Sequence, residues 1–159
     1  MNARYGALDV SRYVICYSNE RDYDISSLKL QKLLYFIQAW FLLKSQGKRR
    51  CFREDIEAWD FGPVVPEVFY RYIGNASMNI PSFTPCSAIS SIALFSDDDC
   101  ALIRSVVDFF SSYAATQLTA VIHGQQPWID AYREGPKTVI SPEAIWRYFA
   151  DSSAENETH

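Results

Sequence analysis

Only two histidines occur in the 159 residues, and one of them, His159, is the last residue. Histidine is the side chain whose ordinary pKa suits acid–base work near neutral pH, so a hydrolase or transferase centre would have to form around His123. Its partners are equally scarce. The four cysteines, Cys16, Cys51, Cys86 and Cys100, have no C-x-x-C spacing and no signature of a thiol nucleophile. That pattern argues against a zinc knuckle and a disulfide framework, and with no signal-peptide pattern ahead of it the expectation is a reducing cytoplasm. No glycine-rich loop precedes a helix to cradle phosphates. The longest apolar stretches stop well short of the roughly 20 residues a membrane span needs. Basic residues gather only at Lys48-Arg49-Arg50 and Arg53, and the net charge is −4, which disfavours nucleic acid as a partner.

Carboxylates are more plentiful but do not assemble into a pair. Glu57 and Asp60 should face opposite sides of an extended segment, and Glu67 falls in the first turn of a helix, where an acid is favourable anyway. Asp97, Asp98 and Asp99 follow Ser96 and read as helix capping, because consecutive helical carboxylates point in different directions. No cofactor, metal site or catalytic residue is expected.

Aromatic residues are abundant: ten Tyr, ten Phe and four Trp exceed what one small core absorbs. Some must sit on or near the surface, where Tyr and Trp favour protein interfaces. The length suits one domain, expected over residues 1–150, with a polar, disordered tail at 151–159.

The strongest periodicity lies in the second of the expected helices. Ser26 is placed to cap it, and Ile25 and Leu30 occupy the two positions of a hydrophobic staple. Leu30, Leu33, Leu34, Ile37, Trp40 and Phe41 recur on one face, and Tyr35, Phe36, Leu42 and Leu43 widen it until little polar surface remains. A helix apolar on nearly all sides runs through the middle of a fold. This one should span about 27–46 and end at Gly47 as a left-handed C-terminal residue.

Around it the pattern predicts a first helix from Asn2 to Asn19, a small β element near 51–61, and a helix from Pro66 to about Ile73. A Ser/Pro-rich connection follows over residues 76–95, with short strands at most around Ala88–Leu94. Further helices are expected from Asp97, over Gln117–His123, over Trp128–Arg133, and from Pro142 to Phe149 or Ala150. The fold class is mainly α, a compact bundle around the buried central helix.

Three segments carry a likeness. They are Leu28-Lys29-Leu30-Gln31-Lys32-Leu33-Leu34-Tyr35, then Glu57-Ala58-Trp59-Asp60-Phe61-Gly62-Pro63-Val64-Val65-Pro66-Glu67-Val68, then His123 with Pro127-Trp128. Their order and spacing resemble the Panacea domain, the SocA-like antitoxin family, which includes phage-associated proteins. The resemblance covers roughly residues 8–150. One position departs from it, since Ile122 stands where the family usually has Thr before the motif histidine.

The resemblance implies an antitoxin of a toxin–antitoxin system, binding a cognate toxin encoded by the adjacent gene. One branch of the family instead delivers the toxin to an ATP-dependent protease, which is the first alternative. An enzyme centred on His123 with Glu57 or Asp60, and a DNA-binding regulator, are further alternatives. Lys29, Lys32, Tyr35, Glu57, Trp59 and Trp128 are the expected partner contacts. Ser26, Gly62, Pro63, Glu67, His123 and Pro127 are the expected structural positions of the motifs.

Overall fold

The computed structural model describes residues 1–157. The central helix, α2 (Ser27–Lys44), is the third element of the chain and the hub of the fold, preceded by β1 (Asn2–Tyr5) and α1 (Ala7–Glu20). Ser26 caps α2 as expected, its Oγ accepting from the Lys29 N–H at 3.2 Å, and Ile25 and Leu30 are both fully buried beside it. Its far end closes with paired bonds, Gly47 N–H to Leu42 O at 2.7 Å and Gln46 N–H to Leu43 O at 3.2 Å. That is the six-to-one and five-to-two pattern of a Schellman turn. Gln46 therefore takes the first left-handed position (φ 54°) and Gly47 the next (φ 80°), one residue later than expected.

After α2 come β2 (Arg49–Phe52), β3 (Ile56–Trp59), β4 (Gly62–Val64) and α3 (Pro66–Arg71). The second half of the chain adds α4 (Cys86–Ile92), α5 (Asp97–Phe109), α6 (Ala115–His123), α7 (Gln126–Glu134), β5 (Thr138–Ile140) and α8 (Pro142–Glu157). The α2 rod packs against α1, α3, α5, α6 and α8 as well as β2 and β4, which accounts for its apolar circumference.

The strands form two small sheets, more β structure than the single element expected near 51–61. β1 pairs with β2 in parallel, Ala3 opposite Arg50 and Tyr5 opposite Phe52. The other sheet is antiparallel in the order β4–β3–β5, with Trp59 opposite Gly62 and Glu57 opposite Val139. Pro63 lies on the edge strand β4, where a missing N–H is tolerated.

Other expectations change as well. Asn2–Tyr5, expected to begin the first helix, is strand β1. The Ser/Pro-rich connection contains helix α4 instead of short strands. The helix expected from Pro66 to about Ile73 ends at Arg71, and a one-turn 3₁₀ segment, Ile73–Asn75, follows it. The last helix runs on to Glu157, past the expected end at Phe149 or Ala150, so residues 151–157 are helical, while His159 lies outside the described residues.

Much of the aromatic surplus forms one packed layer. Tyr35, Phe36, Trp40, Phe110 and Phe149 meet at ring separations of 4.3 to 6.3 Å. Others stay outside as expected, above all Phe83, which is 95% exposed. No helix among the described residues is long and apolar enough to cross a membrane.

Candidate functional site

Polar residues buried on an apolar helix need partners, because an unpaired polar group in a core costs a few kcal/mol. Lys29, Gln31, Lys32 and Gln38 of α2 are all buried. Three of them serve backbone groups of neighbouring elements. Gln38 acts as a surrogate strand for β2: its Oε1 accepts from Cys51 and Phe52 N–H at 2.8 and 3.1 Å, and its Nε2 donates to Phe52 O at 2.9 Å. Gln31, seven residues earlier on the same face, accepts from Val65 N–H at 2.8 Å just after β4, leaving its Nε2 without a partner among the described residues. Lys29 Nζ donates at 3.1 Å to Ser111 O beyond the end of α5, a cation set against a helix C-terminus.

Lys32 is different. Its side chain is 1% exposed, and its one partner among the described residues is the Phe61 ring, with Nζ 5.2 Å from the centroid. Burial without a counter-ion pulls its pKa down to about 8. The Asp60–Phe61 turn between β3 and β4 lies over it. Gly62 has φ 114°, and a Cβ there would stand 3.3 Å from Lys32 Cε, so both backbone conformation and space call for glycine.

The third motif segment closes over the same turn. Trp128 Nε1 donates to Trp59 O at 3.0 Å, and its ring lies 4.2 Å from His123 and 4.6 Å from Tyr132. Tyr132 donates to Asp60, and Thr119 of α6 donates to Phe61 O at 3.4 Å. Trp59 packs on Phe61 and Phe69, donates to Glu57 at 3.0 Å, and carries Lys137 over its ring. The three motif segments thus converge on one turn.

The expected partner contacts divide by burial. Lys32 and Tyr35 are enclosed; Tyr35 donates to Gln125 Oε1 at 2.7 Å in the interior, and burial drives its pKa up. Lys29 and Trp59 are nearly enclosed, and Glu57 and Trp128 are half-buried. The expected structural positions Ser26, Gly62, Pro63 and Pro127 are buried or capping, and Glu67 is exposed in the first turn of α3. His123 is half-buried, with a buried Nε2 that has no hydrogen-bond partner among the described residues. Its plane is held by Trp128, and neither Glu57 nor Asp60 bonds to it.

Asp99 was not singled out by its sequence context beyond capping, yet it turns inward. It accepts from Arg49 Nη1 at 3.0 Å and Nη2 at 2.5 Å, and from Tyr5 Oη, tying both strands of the first sheet to α5. Burial raises its pKa, but the Arg49 and Tyr5 bonds outweigh that and the net direction is down.

Outside the motif cluster, a groove of about 500 Å³ runs between α1 and the segment leading into α4. Ile15, Tyr72, Ile80, Pro81 and Ile89 line it, and Phe83 and Ile92 stand at its rim, 95% and 82% exposed. Contiguous exposed apolar patches are a feature of interaction surfaces.

Comparison with known proteins agrees with the motifs. Residues 30–129 match the model of the family described as Antitoxin SocA-like, Panacea domain. The chain is 34% identical over 125 residues to Antitoxin SocA of Caulobacter vibrioides (strain NA1000 / CB15N), covering 74% of this chain and 64% of that protein. It therefore spans just under two-thirds of that relative's length. No solved structure matches significantly. The chain belongs to the SocA-like antitoxin family of Panacea-domain proteins.

Proposed function

We propose that this protein neutralises a cognate protein toxin by direct binding, and that the toxin docks on the groove rimmed by Phe83 and Ile92. The observation that carries the docking surface is the exposure of those two side chains beside an apolar floor. A surface of this kind has the hydrophobic centre that interfaces need. Arg12, Arg71 and Asp9 border it and supply a polar rim. A net charge of −4 favours encounter with a basic partner.

Family membership supports the antitoxin role, and the geometry around His123 supports binding over catalysis. A general base needs an orienting hydrogen bond and a nucleophile within reach, whereas His123 packs at a tilt on the Trp128 ring. The motif cluster, on this account, builds the fold that presents the groove.

The test is co-expression in the cytoplasm of a bacterial host with the product of the adjacent open reading frame. The wild-type chain should restore growth and co-purify with that product. A Phe83→Ser/Ile92→Ser variant should fold, lose the complex and fail to protect. A Glu57→Lys variant separates the other candidate surface, around Glu57, Trp59 and Trp128. Loss of the complex there, with Phe83→Ser/Ile92→Ser intact, would move the interface to the motif cluster. Protection that requires an ATP-dependent protease and shortens the toxin's half-life would replace neutralisation by delivery.

A further inference from the structure

Cys16, Glu20 and Cys86 offer two sulfurs and a carboxylate oxygen that all lie within 4.8 Å of one another. The sequence separates Cys86 from the other two by more than 60 residues, so spacing alone hid the group. Cys16 and Glu20 are four apart on α1 and share a face. Cys86 is brought to them by α4, which docks on α1.

The spacing of the cluster is compatible with a bound metal ion. Tetrahedral zinc with Zn–S near 2.3 Å and Zn–O near 2.1 Å holds its ligand atoms roughly 3.5–3.8 Å apart. The Cys16 Sγ to Glu20 Oε1 separation is 3.8 Å. Oε1 also accepts from Cys86 N–H at 3.1 Å, which orients the carboxylate, while Oε2 takes part in no hydrogen bond among the described residues. The Cys86 N–H thus turns the carboxylate so that Oε1 faces Cys16 Sγ at ligand spacing. Cys16 is buried, Cys86 half-buried and Glu20 exposed, so the group has an inner wall and a solvent side. A soft thiolate pair with one carboxylate selects zinc over magnesium or calcium, which take oxygen ligands.

We infer that Cys16, Glu20 and Cys86 bind one zinc ion, with water from the Glu20 side as fourth ligand. Binding releases the two thiol protons to solvent, and no redox step is involved. The Cys16 Sγ–H now donates to Thr84 O at 2.6 Å; on deprotonation that contact gives way to the metal. The ion would clamp α1 to the start of α4. Thr84 and Phe83 lie immediately before that helix, so zinc would also fix the rim of the groove. The site itself does not depend on the identity of the groove's occupant.

The experiment uses the full chain, kept reduced with a phosphine, and titrates it with zinc against a chromophoric chelator and with cobalt by absorption. One ion per chain is expected, with a thiolate-to-cobalt charge-transfer band and the intense visible bands of four-coordination. Cys86→Ser and Glu20→Gln should each weaken zinc at least about tenfold. Glu20→Gln keeps the oxygen that accepts from Cys86 N–H, so its loss reports the charge and not the fold. Zinc should raise the melting temperature of the wild type and leave Cys86→Ser unmoved, with circular dichroism showing both folded. Absence of saturable binding, a cobalt spectrum without sulfur ligation, or undiminished zinc affinity in Cys86→Ser would overturn the assignment.

Discussion

Replacing Lys32 by methionine should make the protein more stable, and the structure sets how much. The side chain is 1% exposed and has no carboxylate beside it among the described residues. Its pKa falls from 10.5 to about 8 through burial alone. Each tenfold in proton affinity is worth about 1.4 kcal/mol, so holding the ammonium in the core at pH 7 costs about 3 kcal/mol. The Phe61 ring returns about 0.5–1 kcal/mol of this by cation–π attraction. Methionine fills nearly the same volume without charge, so Lys32→Met should gain about 2 kcal/mol at pH 7. For a domain of this size that is about 4–8 °C in melting temperature.

The sign of the pH dependence follows from linkage. Between about pH 8 and 10.5 the unfolded chain holds the Lys32 proton more tightly than the folded one. Wild-type stability therefore gains from Lys32 as pH rises through that window, and the advantage of Lys32→Met shrinks. Melting both proteins by circular dichroism at pH 7, 8, 9 and 10 isolates the effect, since every other titrating group is common to the pair. A Lys32→Met protein that melts below wild type at pH 7, or a difference that does not change with pH, would refute the reasoning. A lysine kept in the core at this cost is also one that a core chosen for stability alone would not contain.

Other residues give sharper local tests. Asp99→Ala strands the Arg49 guanidinium, whose side chain is 26% exposed, and unties Tyr5; a loss of about 2–4 kcal/mol is expected by denaturant unfolding. Because the Asp99 pKa is depressed in the fold, its contribution is present above the ordinary carboxylate range and vanishes as pH falls through the folded value, so wild type and Asp99→Ala should converge in acid. Gly47→Ala places a Cβ within 2.7–2.9 Å of the Trp146 ring at φ 80° and should cost about 2–3 kcal/mol in the same assay. His123→Ala removes the tilted ring contact with Trp128 and should cost about 1 kcal/mol while protecting cells fully; a folded variant that no longer protects would return His123 to an active role.

The central helix could be read from its residues because its signals are local: a Ser26 cap, the Ile25–Leu30 staple and a repeating apolar face. The strand β1 could not. Asn2–Tyr5 is four residues long, and it is a strand only because β2, more than 40 positions later, pairs with it. Helix α4 was hidden by composition, since its sequence Cys86-Ser-Ala-Ile-Ser-Ser-Ile has weak helix formers. It forms because Ile89 docks in the core and Glu20 accepts the Cys86 N–H.

The motif residues show the same division. Gly62 and Pro63 were readable as a turn and Tyr35 as part of a widened apolar face, whereas Lys32 gave no local sign of enclosure and neither residue showed its partner. Their neighbours, Phe61 and Gln125, lie 29 and 90 residues away. Asp99 differs from Asp97 and Asp98 in nothing but its direction on the helix, and that direction meets Arg49. Long-range partners decide each of these cases, and a single sequence does not name them.

The proposed role of this member of the SocA-like antitoxin family is to hold a toxin through the groove beside Phe83. The direct measurement is isothermal titration of the purified chain with the product of the adjacent open reading frame, the wild type run beside Phe83→Ser/Ile92→Ser. A stoichiometric complex with a negative heat-capacity change, weakened at least tenfold by the double substitution in a folded protein, is the predicted result. Equal affinity of both proteins for the toxin would contradict it.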